Sequence, residues 1–484
     1  MKHSEEYLLK IKQNTIVWFV TVIVLFVVMI VLGLLMRANQ SGVTSLQPDL
    51  FYAIMTLHGL GMVGTLFVAG FAATCYIAVR YVRLNLAVLW VAYVLNLLGV
   101  VGLLVAVLIG KFAPGWYLLY PIQYIKTWPD WTIGVANLSL MIMGSGWLIG
   151  QLELVRAISA KFGFSNMFGW QYFTEKAKRV EIPPFIMITS VSVTAGTVAT
   201  ISGAVFLMLV LIRWINPDLN YSPLLMKNYV FLFGHTLVNI TMYLGIALVY
   251  ELLPEYTKRA WKMNKIVAIS WNTSFVSVLI AYFHHLYMDF SQPLPMQYIG
   301  QIFSYASSVP ATVVTVFGVI GQAFRSTKKW DYVPLSFILG IMGWIVGGLA
   351  AVVDSTIRVN TFFHNTLWVP AHFHTYFLVG FVTIIFGFMY YMLGSTDERR
   401  AKFALSLNMI GGYGFLSMFY FAGMMGVPRR YAVYSAISNK SLASTGAATA
   451  GMASVFVILI LVAYFTYAVT VLFDVGKAWN NRKD

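Results

Sequence analysis

The chain has 484 residues, of which 59% are hydrophobic and only 10% are charged. Soluble globular proteins carry about 25% charged residues, so this composition excludes an ordinary soluble fold and indicates a polytopic membrane protein. The net charge of +15 suits contact with anionic lipid headgroups, and in so apolar a chain it gives no support to nucleic-acid binding.

Twelve apolar runs are long enough to cross the hydrocarbon core as helices, which takes about 20 residues. The first run follows a charged, amphipathic segment at 1–14 without a small-residue cleavage site, so we interpret it as a retained span rather than a signal peptide. The sequence therefore predicts an all-α bundle of about 12 transmembrane helices, forming one membrane domain over 1–484. The predicted spans lie at 15–36, 51–79, 84–109, 132–155, 184–213, 228–253, 264–287, 297–322, 332–353, 371–394, 404–427 and 450–475.

The orientation of these spans follows from their flanking charges. Most of the 32 Lys and Arg residues lie at the N-terminus, in the loops after even-numbered spans and at the C-terminus. Because cytoplasmic loops of membrane proteins carry the excess of Lys and Arg, we expect both termini to be cytoplasmic.

Six of the eight histidines lie within predicted spans. A lone histidine in a membrane helix is usually hydrogen-bonded to a neighbouring helix. With the predicted orientation and a rise of about 1.5 Å per residue, however, all six lie in the outer half of the membrane. Polar groups are costly in hydrocarbon, so six imidazoles at one depth indicate cofactor ligands. They are His58, His235, His284, His285, His372 and His374.

The spacing of these histidines predicts more than one site. His372 and His374 are two residues apart, so on a helix they point to nearly opposite sides and favour two different cofactors. His284 and His285 are adjacent and can converge on one metal with a third ligand from another helix. Imidazoles without nearby carboxylates or thiolates suit iron, copper or zinc, rather than magnesium or calcium.

The motifs around these residues resemble one known family. They are Gly234-His235 in the sixth span, His284-His285 ending the seventh, the segment from His364 to His374 leading into the tenth, and Val427 to Tyr431 after the eleventh. Over essentially its whole length the chain resembles the main catalytic subunit, subunit I, of the haem-copper oxidase superfamily.

The resemblance implies two haems and a further metal. His58 and His374 would hold a six-coordinate, low-spin haem, and His372 would be the proximal ligand of a high-spin haem. The second metal would face the high-spin haem, with copper or non-haem iron as the candidates. Its ligands would be His235, His284 and His285.

The same resemblance assigns three residues to the haem propionates. Arg429 and Arg430 would hold propionates through charge-assisted hydrogen bonds. His364 matches a position near the propionates of the high-spin haem.

The chain departs from typical oxygen reductases four residues after His235. The oxygen reductases that it resembles carry a tyrosine there, crosslinked to a metal-binding histidine, whereas nitric oxide reductases of the superfamily carry a metal-binding glutamate. This chain has Asn239. Residues i and i+4 share a helix face, so we expect Asn239 to point at the same metal as His235. An amide can coordinate a metal or form a hydrogen bond, but it cannot be oxidised.

Two markers of the proton channels of pumping oxidases are also absent. Leu237 and Val314 stand where those enzymes have a glutamate and a lysine. Some oxygen reductases supply the crosslinked tyrosine from another helix, and Tyr243, Tyr287 and Tyr305 are the candidates for that role here.

These features predict a membrane-bound member of the nitric oxide reductase-like branch, which reduces nitric oxide to nitrous oxide. The alternative is a terminal oxidase, either a cytochrome c or a quinol oxidase, which reduces dioxygen to water. A haem or metal transporter would instead place its site near the midplane between repeats, and the sequence indicates neither feature.

The electron donor must lie outside this chain. No Cys-Xaa-Xaa-Cys-His haem attachment or dinuclear-copper motif is present in a sequence with one cysteine. We therefore expect a partner subunit with a cytochrome c or cupredoxin domain, or quinol, in addition to membrane lipid. The expected location is the cytoplasmic membrane of a bacterium or archaeon.

Overall fold

The computed structural model describes residues 3–174, 180–324 and 330–480, without the side chains of 477–480. Strand-like pairing in these residues is limited to an isolated antiparallel bridge between Thr366 and Pro428. Within the residues described, twelve helices correspond one by one to the twelve predicted spans and confirm the all-α, polytopic class. They are α1 (Glu5–Gln40), α2 (Pro48–Ala78), α3 (Leu86–Leu104), α4 (Trp131–Phe162), α5 (Pro184–Ile215), α6 (Pro223–Thr257), α7 (Lys265–Val278), α8 (Leu294–Ala323), α9 (Tyr332–Asp354), α10 (Trp368–Leu393), α11 (Glu398–Met424) and α12 (Lys440–Asn480).

Within the described ranges, eleven of these helices are long and apolar enough to cross a membrane by themselves. The eleventh predicted span, at 404–427, corresponds to α11, which is not among these eleven helices. Its first turns are charged and its middle contains Asn408. The Asn408 side chain is buried, and its Nδ2 donates to Thr383 Oγ1 at 3.2 Å. The polar group that lowers the hydropathy of α11 is therefore paired inside the protein.

The chain forms two compact units, each with its own set of contacts. Unit 1 contains Met1–Trp18, Tyr52–Glu251 and Arg259–Gly318, and unit 2 contains Phe19–Phe51, Leu252–Lys258 and Val319–Asp484. The single membrane domain predicted over 1–484 stays a prediction.

The predicted orientation also stays a prediction. Several of the basic residues on which it depends lie outside the described residues: Lys2, Lys176, Lys178, Arg179, Arg325, Lys328, Lys329, Arg482 and Lys483.

The seventh predicted span ends in a change of helix type. The α-helical part of α7 ends at Val278, and a 3-10 helix follows at Ala281–Leu286. A 3-10 helix has poorer hydrogen-bond geometry than an α-helix and is used in short pieces. This turn holds the adjacent pair His284 and His285, so the pair sits on the end of the span rather than within its regular part.

Within unit 2, α10 also departs from a regular α-helix. It is α-helical at Trp368–His374, π-helical at Thr375–Phe381 and α-helical again at Val382–Leu393. Short π-helical segments inside α-helices occur frequently at functional sites. Here the π-helical segment begins at the residue after His374.

Candidate metal centre

Three histidines of unit 1 converge in the structure. His235 lies on α6, and His284 and His285 lie on the 3-10 helix after α7. One ring nitrogen from each lies within 4.8 Å of those of the other two. The ring of His235 is 4.9 Å from that of His284 and 5.5 Å from that of His285, measured between centroids. Three neutral imidazoles at this separation fit one copper, iron or zinc ion.

The tautomer of His284 is set by Ser304 on α8. The Ser304 hydroxyl donates to the Gly300 carbonyl oxygen at 2.5 Å. With its proton used in this way, the hydroxyl accepts a hydrogen bond from His284 Nδ1, which lies 2.8 Å away. A metal-binding histidine usually donates its second ring nitrogen to such a partner, which fixes the ring orientation. We infer that His284 faces a metal with Nε2.

His285 is held by an aromatic contact. Its ring stacks on that of Phe231 at 4.9 Å between centroids, with an angle of 16° between the planes. Phe231 precedes His235 by one turn of α6. The helix that provides His235 therefore also packs against His285.

Asn239 lies beside His235, as its position on the same helix face predicts. Its Nδ2 donates to the His235 carbonyl oxygen at 2.8 Å and lies 3.3 Å from His235 Nε2. A metal bound to Nδ1 requires the ring proton on Nε2, which then needs an acceptor rather than the Nδ2 that faces it here. Rotation of the amide would place its oxygen against Nε2 as an acceptor. Coordination by Asn239 itself stays a prediction, and the geometry indicates in addition that it orients the His235 ring.

In unit 2, His372 and His374 both donate through Nδ1 to backbone carbonyls. His372 Nδ1 lies 3.1 Å from the oxygen of Gly347 on α9, and His374 Nδ1 lies 2.7 Å from the oxygen of Pro370. A carbonyl oxygen only accepts, so each Nδ1 carries the proton and each Nε2 has the lone pair that a haem iron requires.

The two rings also contact different neighbours, as the two-residue spacing predicts. His372 lies edge-on to Tyr376 at 5.8 Å, whereas His374 lies edge-on to Phe415 and Phe419 of α11 at 5.4 and 5.9 Å. The two side chains therefore present Nε2 in different surroundings, which fits two separate cofactors.

The contact between His372 and α9 depends on Gly347. A Cβ atom at this position would lie 2.6 Å from the Tyr376 ring and 3.0 Å from its backbone nitrogen. Any side chain here would push the two helices apart. The glycine therefore allows its own carbonyl to reach the His372 ring.

The loop that holds Arg429 pairs with the loop that holds His364. The Arg429 backbone nitrogen donates to the oxygen of Asn365 at 2.8 Å, and its Nη2 donates to Asn365 Oδ1 at 3.3 Å. Arg430 has a positive φ of 73°, a backbone conformation that costs energy in a non-glycine residue and occurs often at functional sites. The structure therefore brings the predicted propionate residues of unit 2 onto neighbouring loops. Their contact with propionates stays a prediction.

His58 lies on α2 in unit 1 and is half-buried. The loop after α3 covers this turn of the helix, because Gly115 N donates to Thr56 Oγ1 at 2.9 Å and Trp116 packs directly on Gly59. The predicted role of His58 as a haem ligand stays a prediction.

Comparison with known proteins places this arrangement in a family. Residues 13–455 match the family described as cytochrome C and quinol oxidase polypeptide I. The chain belongs to this family. The resemblance to subunit I of the haem-copper oxidases is thereby confirmed, and the chain is a multi-pass haem-copper oxidoreductase subunit.

Individual relatives of this chain are distant in sequence. It is 24% identical to the alternative cytochrome c oxidase subunit 1 of Bradyrhizobium diazoefficiens, over 79% of this chain and 68% of the relative. It is 26% identical to the cytochrome c oxidase subunit 1 of Pecten maximus, over 82% of this chain and 85% of the relative. A heme-copper terminal oxidase dimer solved by cryo-EM has the same fold, with a TM-score of 0.79, 18% identity and coverage of 98% of this chain and 84% of that one.

The three candidate tyrosines of this chain differ in position. Tyr243 is two turns after His235 on α6 and fully buried; its hydroxyl donates to the Ser307 carbonyl oxygen at 3.1 Å and its ring packs edge-on against Trp271. Tyr287 directly follows the 3-10 helix and is buried, and Tyr305 follows Ser304 on α8. A redox role for any of the three stays a prediction.

Removing the Ser304 hydroxyl is expected to weaken metal binding. In Ser304→Ala, His284 loses the acceptor that fixes its tautomer, and loss of such a partner lowers metal affinity by about 10- to 100-fold. The measurement is the chelator concentration that removes half of the second metal from the purified protein. Ser304→Thr keeps the hydroxyl and should behave like the parent.

Ser307→Ala is the matched control for Ser304→Ala. The Ser307 hydroxyl, on the same helix, donates to the Ser304 carbonyl oxygen at 2.8 Å and is not bonded to a histidine. Equal metal retention by the two alanine variants would contradict the assignment of Ser304.

Proposed function

We propose that this chain reduces nitric oxide to nitrous oxide at a high-spin haem and the metal held by His235, His284 and His285. Two molecules of nitric oxide, two electrons and two protons give one nitrous oxide and one water. The haem and the metal, when bound, would supply electrons and Lewis acidity. The convergence of the three histidines supports such a centre.

The observation that carries this proposal is Asn239 beside His235. Dioxygen reduction must break an O–O bond, and the oxidases that the chain resembles use an oxidisable tyrosine at this position for that step. The amide of Asn239 cannot give up an electron, and its Nδ2 lies 3.3 Å from His235 Nε2. Nitric oxide reduction joins two nitrogen atoms and breaks no O–O bond, so it does not need the tyrosine.

The protein contributes positioning and exclusion of water. The three histidines and Asn239 are each half-buried. The two residues that follow the His284–His285 pair, Leu286 and Tyr287, are buried. Two small molecules confined beside one another react faster than two that must meet in solution, which supplies much of the rate.

The cofactor and partner assignments belong to the same proposal. The low-spin haem would take His58 and His374, and the high-spin haem would take His372. The second metal is copper or non-haem iron, and electrons come from a subunit with a cytochrome c or cupredoxin domain, or from quinol. The protein would act in the cytoplasmic membrane of a bacterium or archaeon. The propionates would be held by Arg429, Arg430 and His364.

Dioxygen reduction is the second candidate, and the names of the relatives favour it. Both the Bradyrhizobium and the Pecten relatives are named as cytochrome c oxidase subunits. In this case another residue must replace the missing tyrosine. Tyr243 is two turns after His235 on the same helix, but its hydroxyl donates to the Ser307 carbonyl oxygen on α8.

Parallel turnover measurements separate the two candidates. The purified complex is supplied with an artificial electron donor and with either nitric oxide or dioxygen, and nitrous oxide is quantified. Rapid consumption of nitric oxide with one nitrous oxide formed per two consumed, together with slow oxygen uptake, is the expected result. Rapid oxygen uptake with traces of nitrous oxide would overturn the proposal in favour of dioxygen reduction.

Substituting Asn239 is expected to impair turnover without loss of haem. Asn239→Leu removes the amide that orients His235, and loss of such a contact costs about 10- to 100-fold in activity. Both haem spectra should persist, because Asn239 is not among the proposed haem ligands. The measurements are turnover with nitric oxide and the haem absorbance spectrum of the same preparation.

The matched control for Asn239 is Asn137 on α4. Its Nδ2 donates to the carbonyl oxygen four residues earlier, Ile133, at 2.7 Å, in the way that Asn239 donates to His235. Asn137→Leu should leave turnover close to that of the parent. Unchanged turnover in Asn239→Leu would show that its amide is only a packing group.

A further inference from the structure

An ion pair joins the two chain segments that provide the three histidines. Lys227 Nζ lies 2.5 Å from Asp289 Oδ1, and the two side chains are 26% and 21% exposed. Lys227 precedes His235 by two turns on α6. Asp289 follows His285 by four residues, after the end of the 3-10 helix.

A hydrogen bond joins the same two segments on the other side of the histidine pair. The hydroxyl of Tyr282, which is buried, donates to Asn228 Oδ1 at 3.0 Å. Asn228 is the neighbour of Lys227, and its Nδ2 donates to the Leu224 carbonyl oxygen at 2.8 Å. The bond from Asn228 Nδ2 to Leu224 fixes the amide with its oxygen toward Tyr282. Two adjacent residues of α6 therefore hold the segment on both sides of the histidine pair: Asn228 binds Tyr282 before the pair, and Lys227 binds Asp289 after it.

The segment between these contacts needs such attachment. His284 and His285 lie on a 3-10 helix, which has weaker internal hydrogen bonds than an α-helix. An exposed ion pair contributes little to stability, but a pair that is shielded from water interacts more strongly. Lys227 and Asp289 are mostly shielded, so their attraction is available to hold this segment against α6.

We propose that Lys227, Asp289, Asn228 and Tyr282 are positioning residues that hold His284 and His285 in register with His235, and so set the affinity of the centre for its metal. This inference rests on the proposed function, because it requires that the three histidines bind a metal. None of the four residues needs to touch the metal. They act by reducing the range of positions that the two histidines sample before the metal binds.

The test uses variants of the complete protein in its membrane complex. Lys227→Met and Asp289→Asn each remove the ion pair with little change in size, and the double variant with Lys227→Asp and Asp289→Lys restores it in reversed order. Tyr282→Phe removes the hydrogen bond separately. The measurement is the concentration of a chelator that removes half of the second metal, with the haem spectrum recorded on each sample.

A control ion pair lies elsewhere in the same unit. Arg80 Nη1 is 3.2 Å from Glu251 Oε1, and the side chains are 34% and 10% exposed. Glu251→Gln breaks this pair, which is of comparable exposure but involves no residue near the three histidines in the sequence. It should retain the metal as the parent does.

The expected result is that each single variant of the Lys227–Asp289 pair loses the metal at about 10- to 100-fold less chelator than the parent. The reversed pair should recover most of that difference, and Tyr282→Phe should show a loss in the same direction. Retention equal to the parent in Asp289→Asn would overturn the inference. So would failure of the reversed pair to recover, or an equal loss in Glu251→Gln. A parent protein that binds no second metal would instead overturn the proposed function.

Discussion

Replacing His372 by leucine is expected to remove one haem, leave the other in place and abolish turnover. His372 is the residue proposed to bind the high-spin haem, and its Nδ1 is already committed to the Gly347 carbonyl. Its Nε2 is therefore the atom that a haem iron would use, and leucine offers no replacement. A reaction that takes place at this haem should fall by at least about 1000-fold. At about 1.4 kcal/mol for each tenfold change in rate, this is a loss of about 4 kcal/mol in transition-state stabilisation.

The matching variant is His374→Leu, which should remove the low-spin spectrum and keep part of the high-spin signal. Phe373→Leu is the control for both, because it changes the volume of the intervening side chain and removes no imidazole. Absorbance spectra and the ratio of haem to protein provide the measurement. Loss of both haems in either histidine variant, with Phe373→Leu unaffected, would contradict the assignment of the two histidines to separate haems.

The fold could be predicted from the sequence because its signal is local. A run of apolar residues long enough to span the membrane is helical in nearly every case, since backbone groups in hydrocarbon must be satisfied within the segment. The ends of the helices are less predictable from the sequence. Helix α1 begins at Glu5, ten residues before the predicted run, because its first turns are charged rather than apolar, with an ion pair between Lys10 and Glu6.

The histidines of the candidate site could also be predicted, because imidazole within an apolar run is conspicuous and its spacing has meaning. Their supporting residues could not. Ser304 is 20 residues from His284 in the sequence, Gly347 is 25 from His372, and Lys227 is 62 from Asp289. Serine and glycine are common in membrane helices for packing reasons. A single sequence gives no signal that distinguishes Ser304 or Gly347 from their neighbours.

The role of Asn239 shows how far helix periodicity can be used. Its spacing predicts that it shares a face with His235, and the structure has the two side chains in contact. Periodicity gives the face but not the direction of an amide, so the sequence leaves both coordination of the metal and hydrogen bonding open. In the structure Nδ2 donates to the His235 backbone carbonyl, which is a hydrogen bond and leaves coordination by Asn239 a prediction.

Removing any one of the three converging histidines is expected to remove the second metal and most of the turnover. A metal held by three imidazoles loses a third of its protein ligands in His235→Leu, and two remaining ligands cannot hold the ion against a chelator. Both haem spectra should remain, because their proposed ligands lie elsewhere. Loss of a metal that contributes several kcal/mol to catalysis corresponds to a fall of about 1000-fold in rate.

The comparison among His235→Leu, His284→Leu and His285→Leu is the informative part of this test. The three ring nitrogens all lie within 4.8 Å of one another, so the three variants should lose the metal to the same extent. Thr236→Val is the control, because it alters the neighbour of His235 on α6 and keeps its shape. If His285→Leu retained the metal while the other two lost it, its stacking on Phe231 would be its only role, and a further ligand would have to complete the site. Asn239 is then the residue to test next, because its amide lies beside His235 and an amide oxygen can coordinate a metal.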